Sequence, residues 1–147
     1  MLAKPIMVRV AFYRGKGTLA DRLVRLLTRS RYSRVELLVG HRLATGWHSY
    51  AARADDGLVS RRLFDIEAVS EDWDLLELPG FTKTGTTRWF KANGGSRFSL
   101  LQDLGLRFRV GRLFGSAAAV AHALDLQEYD HFTPGGLYRE LVEHWAL

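Results

Sequence analysis

Cysteine is absent from the 147 residues, which excludes thiolate nucleophiles, disulfides and thiolate-ligated metals together. Five histidines remain as candidate bases or metal ligands: His41, His48, His122, His131 and His144. Their scatter gives no His-x-x-x-His pair and no carboxylate cluster of the kind that holds zinc, so no metal and no cofactor is expected. Gly15-Lys16-Gly17-Thr18 has the residue types of a phosphate loop but lacks the spaced upstream glycine, and reads as a turn followed by a helix cap. Arginines concentrate at Arg22, Arg25, Arg29, Arg31 and Arg34, at Arg61-Arg62, and at Arg107, Arg109 and Arg112. A guanidinium suits phosphate or carboxylate because its planar fork binds two oxygens at once. Arg22, Arg25 and Arg29 fall at i, i+3 and i+7, one face of a helix, a basic stripe that reads first as a solvated face or a site for an acidic protein, with nucleic acid as the less favoured partner. Trp47, Trp73, Trp89 and Trp145 read as core and rim residues and not as a platform for stacked bases.

The elements that must position these groups follow from periodicity. Ile6 to Tyr13 alternates as a strand, and Gly15-Lys16-Gly17 breaks it. Thr18 caps a helix running to about Arg29, with Leu19, Leu23, Leu26 and Leu27 on one stripe and Asp21 near its positive end. Strands are predicted over 35–39, 43–50, 58–64 (after the Asp55-Asp56-Gly57 turn) and 73–78, where Pro79-Gly80 stops the run. The second half is helical: 84–92, ended by Asn93-Gly94-Gly95; 99–108; the Ala-rich 116–124; and a last helix to Trp145 opened by Thr133-Pro134. One helix set among several strands, followed by helices, defines an α+β domain with an antiparallel sheet. Without internal repeat or linker, residues 1–147 form a single domain.

Composition is that of a globular domain, 47% hydrophobic and 25% charged. No apolar run is long enough to cross a bilayer, and Met1-Leu2-Ala3-Lys4-Pro5 has no signal-peptide core, so synthesis in a bacterial cytoplasm without export is expected. The net charge of +5 and isoelectric point near 9.9 are compatible with an anionic partner without naming one.

Several segments together resemble a family. They are Val8-Arg9-Val10-Ala11-Phe12-Tyr13 with Gly15-Lys16-Gly17-Thr18, Arg31-Tyr32-Ser33-Arg34-Val35-Glu36-Leu37, Asp56-Gly57-Leu58-Val59-Ser60-Arg61 and Trp73-Asp74-Leu75-Leu76-Glu77-Leu78-Pro79. Gly95-Ser96-Arg97-Phe98-Ser99, the stretch 114–126 and Thr133-Pro134-Gly135-Gly136-Leu137-Tyr138 continue the series. In this order they are similar to the circularly permuted NlpC-type, papain-like peptidases and amidases, of the YiiX-like branch found in bacteria and bacteriophages. The resemblance implies a papain-like α+β fold, with an antiparallel sheet, an N-terminal helix and a C-terminal helical half.

It also implies a degenerate site. The family's Tyr-Ser-His-x-Glu-Leu motif carries its base at the position held here by Arg34, and Glu36 matches the residue that orients the base. Residues i and i+2 of a strand share a face, so Arg34 and Glu36 are expected to form a same-face ion pair or to turn outward to a partner. The family's cysteine, on the first turn of a helix and followed by Ser-Glu, is replaced by Ser116 in Gly115-Ser116-Ala117-Ala118. A guanidinium cannot act as base, and a serine hydroxyl without one stays protonated. Loss of either partner in a triad enzyme costs on the order of a millionfold in rate.

The expected function is therefore that of a pseudoenzyme. It would serve as a structural or binding component of a bacteriophage virion, in the head-to-tail or tail region, with other virion proteins or copies of itself as partners. Two rivals stand beside it. One is an active cell-wall peptidase or amidase using Ser116, with His48 as the plausible displaced base. His122, six residues further along the helix, faces away. The other is a basic nucleic-acid-binding module acting through Arg22, Arg25 and Arg29. The plainer role for Ser116 is a helix cap.

Overall fold

The computed structural model describes residues 6–41, 46–65, 71–104, 113–126 and 132–145. In chain order these form β1 (Ile6–Tyr13), α1 (Leu19–Thr28), β2 (Arg34–His41), β3 (Gly46–Ala52), β4 (Val59–Asp65) and β5 (Trp73–Glu77). They continue with α2 (Lys83–Asn93), β6 (Arg97–Phe98), the short α3 (Leu100–Asp103), β7 (Leu113–Phe114), α4 (Ser116–Ala123) and α5 (Pro134–His144). The α+β class and the antiparallel sheet hold. Five strands lie in the order β4-β3-β2-β1-β5, each neighbouring pair antiparallel.

The period of two in the strands produces two different faces. One carries Val8, Val10 and Phe12 of β1, Val35, Leu37 and Val39 of β2, and Tyr50 and Ala52 of β3. Against it pack α4, α5 and Phe90 of α2, completing the main core with Leu137 and Leu141. The other face holds a smaller cluster of Ala11, Leu38, Trp47, Phe64 and Trp73. Gly40 belongs to this second face: a Cβ there would come within 2.6 Å of the Trp47 ring. Of the tryptophans, Trp47 and Trp73 are core while Trp145 is exposed at the rim.

Helix α4 is buried along almost its whole length because it is built of alanine. Small side chains let its backbone lie close on β2 and β3. Helix α5 starts as expected, with Thr133 accepting from the Gly136 amide and Pro134 at the first helical position.

One expectation needs correction, and two features lie outside what the local pattern shows. The predicted helix over 99–108 is only Leu100–Asp103 among the described residues, and residues 105–112 lie outside them. The pair β6–β7, parallel and two residues long on each side, had no period to reveal it. Helix α1 is turned the opposite way from a core-facing amphipathic helix. Its leucines face outward, Leu19 at 81%, Leu23 at 40%, Leu26 at 74% and Leu27 at 59% exposure, while Asp21 and Val24 are buried. The reason is a polar anchor. Asp21 completes a capping box with Thr18 and also accepts from the Ser33 hydroxyl at 2.9 Å, which pins the acidic side of the helix to the start of β2. No helix among the described residues is long and apolar enough to cross a membrane.

Candidate functional site

Ser116 opens α4, and the helix packs against β2 so that its hydroxyl meets the strand two residues after Ser33. The site is 1% exposed at Ser116 and 1% at Asp103. Asp103, at the end of α3, caps α4 from a distance. One carboxylate oxygen accepts from the Ser116 amide at 3.0 Å and from its hydroxyl at 2.8 Å, and the other from the Ala117 amide at 3.0 Å. Gln102 accepts from the Gly115 amide at 2.8 Å. The Ser116 oxygen itself accepts from the Val35 amide at 3.1 Å. These bonds satisfy orphan donors of the α4 N-terminus and one strand amide in a buried region.

Burial, foremost, pushes the Asp103 carboxyl up to about 6, with the negative charge of Asp21 adding to the rise and the three donors opposing it. Among the described residues Asp103 is the acceptor of the Ser116 hydroxyl proton. Both partners are sealed, and the hydroxyl donates to a carboxylate already engaged with two backbone amides. The arrangement is that of a cap.

Arg34 and Glu36 do share the second face of the sheet, as their spacing requires, but the expected ion pair between them does not form. Each has a better-placed partner. Arg34 Nε lies 3.0 Å from Asp21 Oδ1, and its guanidinium stacks 4.0 Å from the Tyr13 ring centroid. Glu36 is buried against Arg53 at 2.8 Å and accepts from the Ser49 hydroxyl. Arg53 also donates to Ser60 Oγ and to the Ser49 carbonyl. A buried carboxylate needs such a fully bonded cation.

His48 does not approach Ser116. It lies on β3 opposite Val39, four positions along β2 from Val35, which is about 13 Å at the usual strand rise. His122 stacks on Trp89, the rings 5.1 Å apart and 16° from parallel. His144 sits 3.8 Å from both Glu140 and Glu143, and His131 lies outside the described residues, as do Arg107, Arg109 and Arg112. Among the described residues no group of His, Asp and Glu could hold a metal ion.

Of the basic face on α1, Arg22 and Arg29 are exposed. Arg25 instead donates to the carbonyls of Gly15 and Lys16, and so ties down the loop read as a phosphate-loop mimic. The groups that sequence reasoning missed are Asp103 and Arg53. Both act on partners more than ten residues away, at Ser116 and Glu36, and no local spacing marks such pairs.

Fold and site together define an α+β protein whose five-stranded antiparallel sheet is covered by helices on one face, with a sealed Ser–Asp cap where a helix meets the second strand. Comparison with known protein families, with curated proteins and with solved structures finds no match.

Proposed function

We propose that the chain is a catalytically inert binding or structural protein on a permuted papain-like scaffold, a component of a bacteriophage virion in the head-to-tail or tail region. The observation that carries the inert half of this reading is the Ser116 hydroxyl. It is buried and held between the Asp103 carboxylate and the Val35 amide. Arg34, at the position of the family's base, is a permanent cation engaged by Asp21. The virion placement is supported by the sequence resemblance alone.

The binding half is supported by α1. Its outward leucine stripe is flanked by exposed Arg22 and Arg29, and the helix's one carboxylate, Asp21, is buried on the opposite side. A second copy would bring arginine against arginine, so the fitting occupant is an apolar strip edged with carboxylates on a different virion protein.

The test is a Ser116→Cys variant, with its fold checked by circular dichroism. A buried thiol beside a carboxylate should react with iodoacetamide only as fast as the protein opens, and should hydrolyse no peptidoglycan peptide. Rapid alkylation of the native variant, with a thiol titrating below the ordinary value of about 8.5, would restore the hydrolase reading. For α1, a Leu19→Ser, Leu26→Ser double variant should keep the melting temperature of the parent. If the parent dimerises in sedimentation and the variant does not, the occupant is a second copy, and the acidic partner is wrong.

A further inference from the structure

The helical face of the sheet is not covered along its whole length. Val35 and Leu37 lie under α4, but the same face continues toward the far end of β2, where the side chains change character. Pairing sets Val39 beside His48 and Leu63, and the next row sets Leu37 beside Tyr50 and Arg61. His41 follows Val39 at i+2 and so projects from the same face. Across from these strands stand Lys83 and Lys91 of α2, eight residues and about 12 Å apart along the helix axis.

Together they wall a cleft of about 440 Å³, in the range of small-molecule sites. Tyr50, Arg61 and Lys91 also line an adjoining hollow of about 220 Å³, so the groove continues toward Val59 and Phe90. The cationic lining is Arg61, Lys83 and Lys91, with the rings of His41 and His48 beside them, and among the described residues no carboxylate lines either hollow. Ile6, Val39 and Tyr50 supply an apolar side.

The charge here is arranged differently from that at the sheet's paired arginines: Arg9 is matched with Glu77, Arg14 with Asp74, Arg34 with Asp21 and Arg53 with Glu36. Arg62, the immediate neighbour of Arg61, holds Asp55 at 2.5 Å and Asp56 at 2.9 Å. Among the described residues Arg61, Lys83 and Lys91 form no ion pair, although they converge on one concave space. Like charges gathered without a counter-charge repel, and a bound anion removes that cost.

We propose that this cleft binds a small organic phosphate, a di- or polyphosphate held by Arg61, Lys83 and Lys91, with its organic part against Tyr50, Val39 and Ile6. The site is separate from the Ser116 cap and stands whether or not the chain proves inert. A guanidinium and two ammonium groups suit a polyphosphate because each takes a different oxygen.

The experiment is isothermal titration of the full chain with inorganic pyrophosphate and with ATP, in metal-free buffer at low salt. Both should bind, ATP more tightly through its organic part. Arg61→Ala, Lys83→Ala and Lys91→Ala should each weaken binding roughly tenfold, the loss expected for one charged hydrogen bond. Because these side chains are exposed, the variants should melt with the parent. Arg139→Ala, exposed on α5 and outside the cleft, should change nothing. Absence of binding at millimolar pyrophosphate and ATP would overturn the proposal. So would equal weakening by Arg139→Ala, which would mean general charge attraction. Tight, steeply salt-dependent binding of a single-stranded oligonucleotide, abolished by the three cleft variants while ATP fails to bind, would replace the small ligand by nucleic acid.

Discussion

At the Val35 end of the sheet's helical face, Asp103 holds two backbone amides and the Ser116 hydroxyl, and the hydroxyl in turn holds a strand amide. Four positions further along β2, beside Val39 and His48, the same face opens into a cleft lined by Arg61, Lys83 and Lys91, with no carboxylate among the described lining residues. The first region spends its polar groups on itself and is sealed by the alanines of α4. The second leaves charge facing water. Polar groups that satisfy one another build structure and have little left for a ligand, whereas uncompensated charge in a concavity is available to one. The difference moves attention from the serine that the sequence resemblance singles out to the basic cleft beside it.

If the closed end is a cap, breaking it should cost stability and nothing else. Asp103→Ala leaves two amides and a hydroxyl without partners in a buried place, so a loss of about 3 kcal/mol is expected in urea denaturation, with a melting temperature lower by roughly 10 °C. An unchanged midpoint would show that the cap carries no load, and the contrast between the two ends would collapse.

The charge of Asp103 gives a second handle. Its carboxyl is raised by burial to about 6, so the folded chain holds that proton more firmly than the unfolded chain, where a carboxyl titrates near 4. The stability it contributes is then full below about pH 4 and is lost as pH rises through about 6. Relative to Asp103→Asn, the parent should lose on the order of 2 kcal/mol between pH 4 and pH 7. Parallel stability curves for the two proteins would mean that the carboxylate stays ionised, stabilised by its donors more than it is penalised by burial.

How much of this was legible in the sequence follows from the range of each interaction. Alternation in 6–13 and the Ala-rich run at 116–124 report local burial, and both elements stand as read. The leucine stripe of α1 left the helix's orientation open, because its period says only that one side differs from the other. Which side turns inward was decided by Asp21 bonding to Ser33, a contact across twelve residues. The same limit hid the cap and the cleft. Asp103 reaches Ser116 and Lys83 faces His48 only after the chain has folded back, and charge spacing along the sequence does not show which cations end up without partners. The Arg34–Glu36 pairing failed for the complementary reason. Sharing a face made it feasible, and Asp21 and Arg53, brought in from other elements, are placed better.

The finest test of the contrast uses two adjacent arginines on β4. Arg62 is paired with Asp55 and Asp56, and Arg61, pointing to the other side of the strand, lines the cleft with no ion pair among the described residues. Arg62→Ala should lower stability by about 0.5 kcal/mol, the usual worth of a solvent-exposed pair. Arg61→Ala should leave stability unchanged or raise it slightly, because it relieves repulsion toward Lys83 and Lys91. Both effects are screened, so the difference between the variants should shrink toward zero in 1 M salt, where the Debye length is about 3 Å. If Arg61→Ala instead costs as much as Arg62→Ala at low salt, Arg61 has a carboxylate partner after all. The open end of the sheet would then be as self-satisfied as the closed one, and the case for an anionic ligand would lose its electrostatic basis.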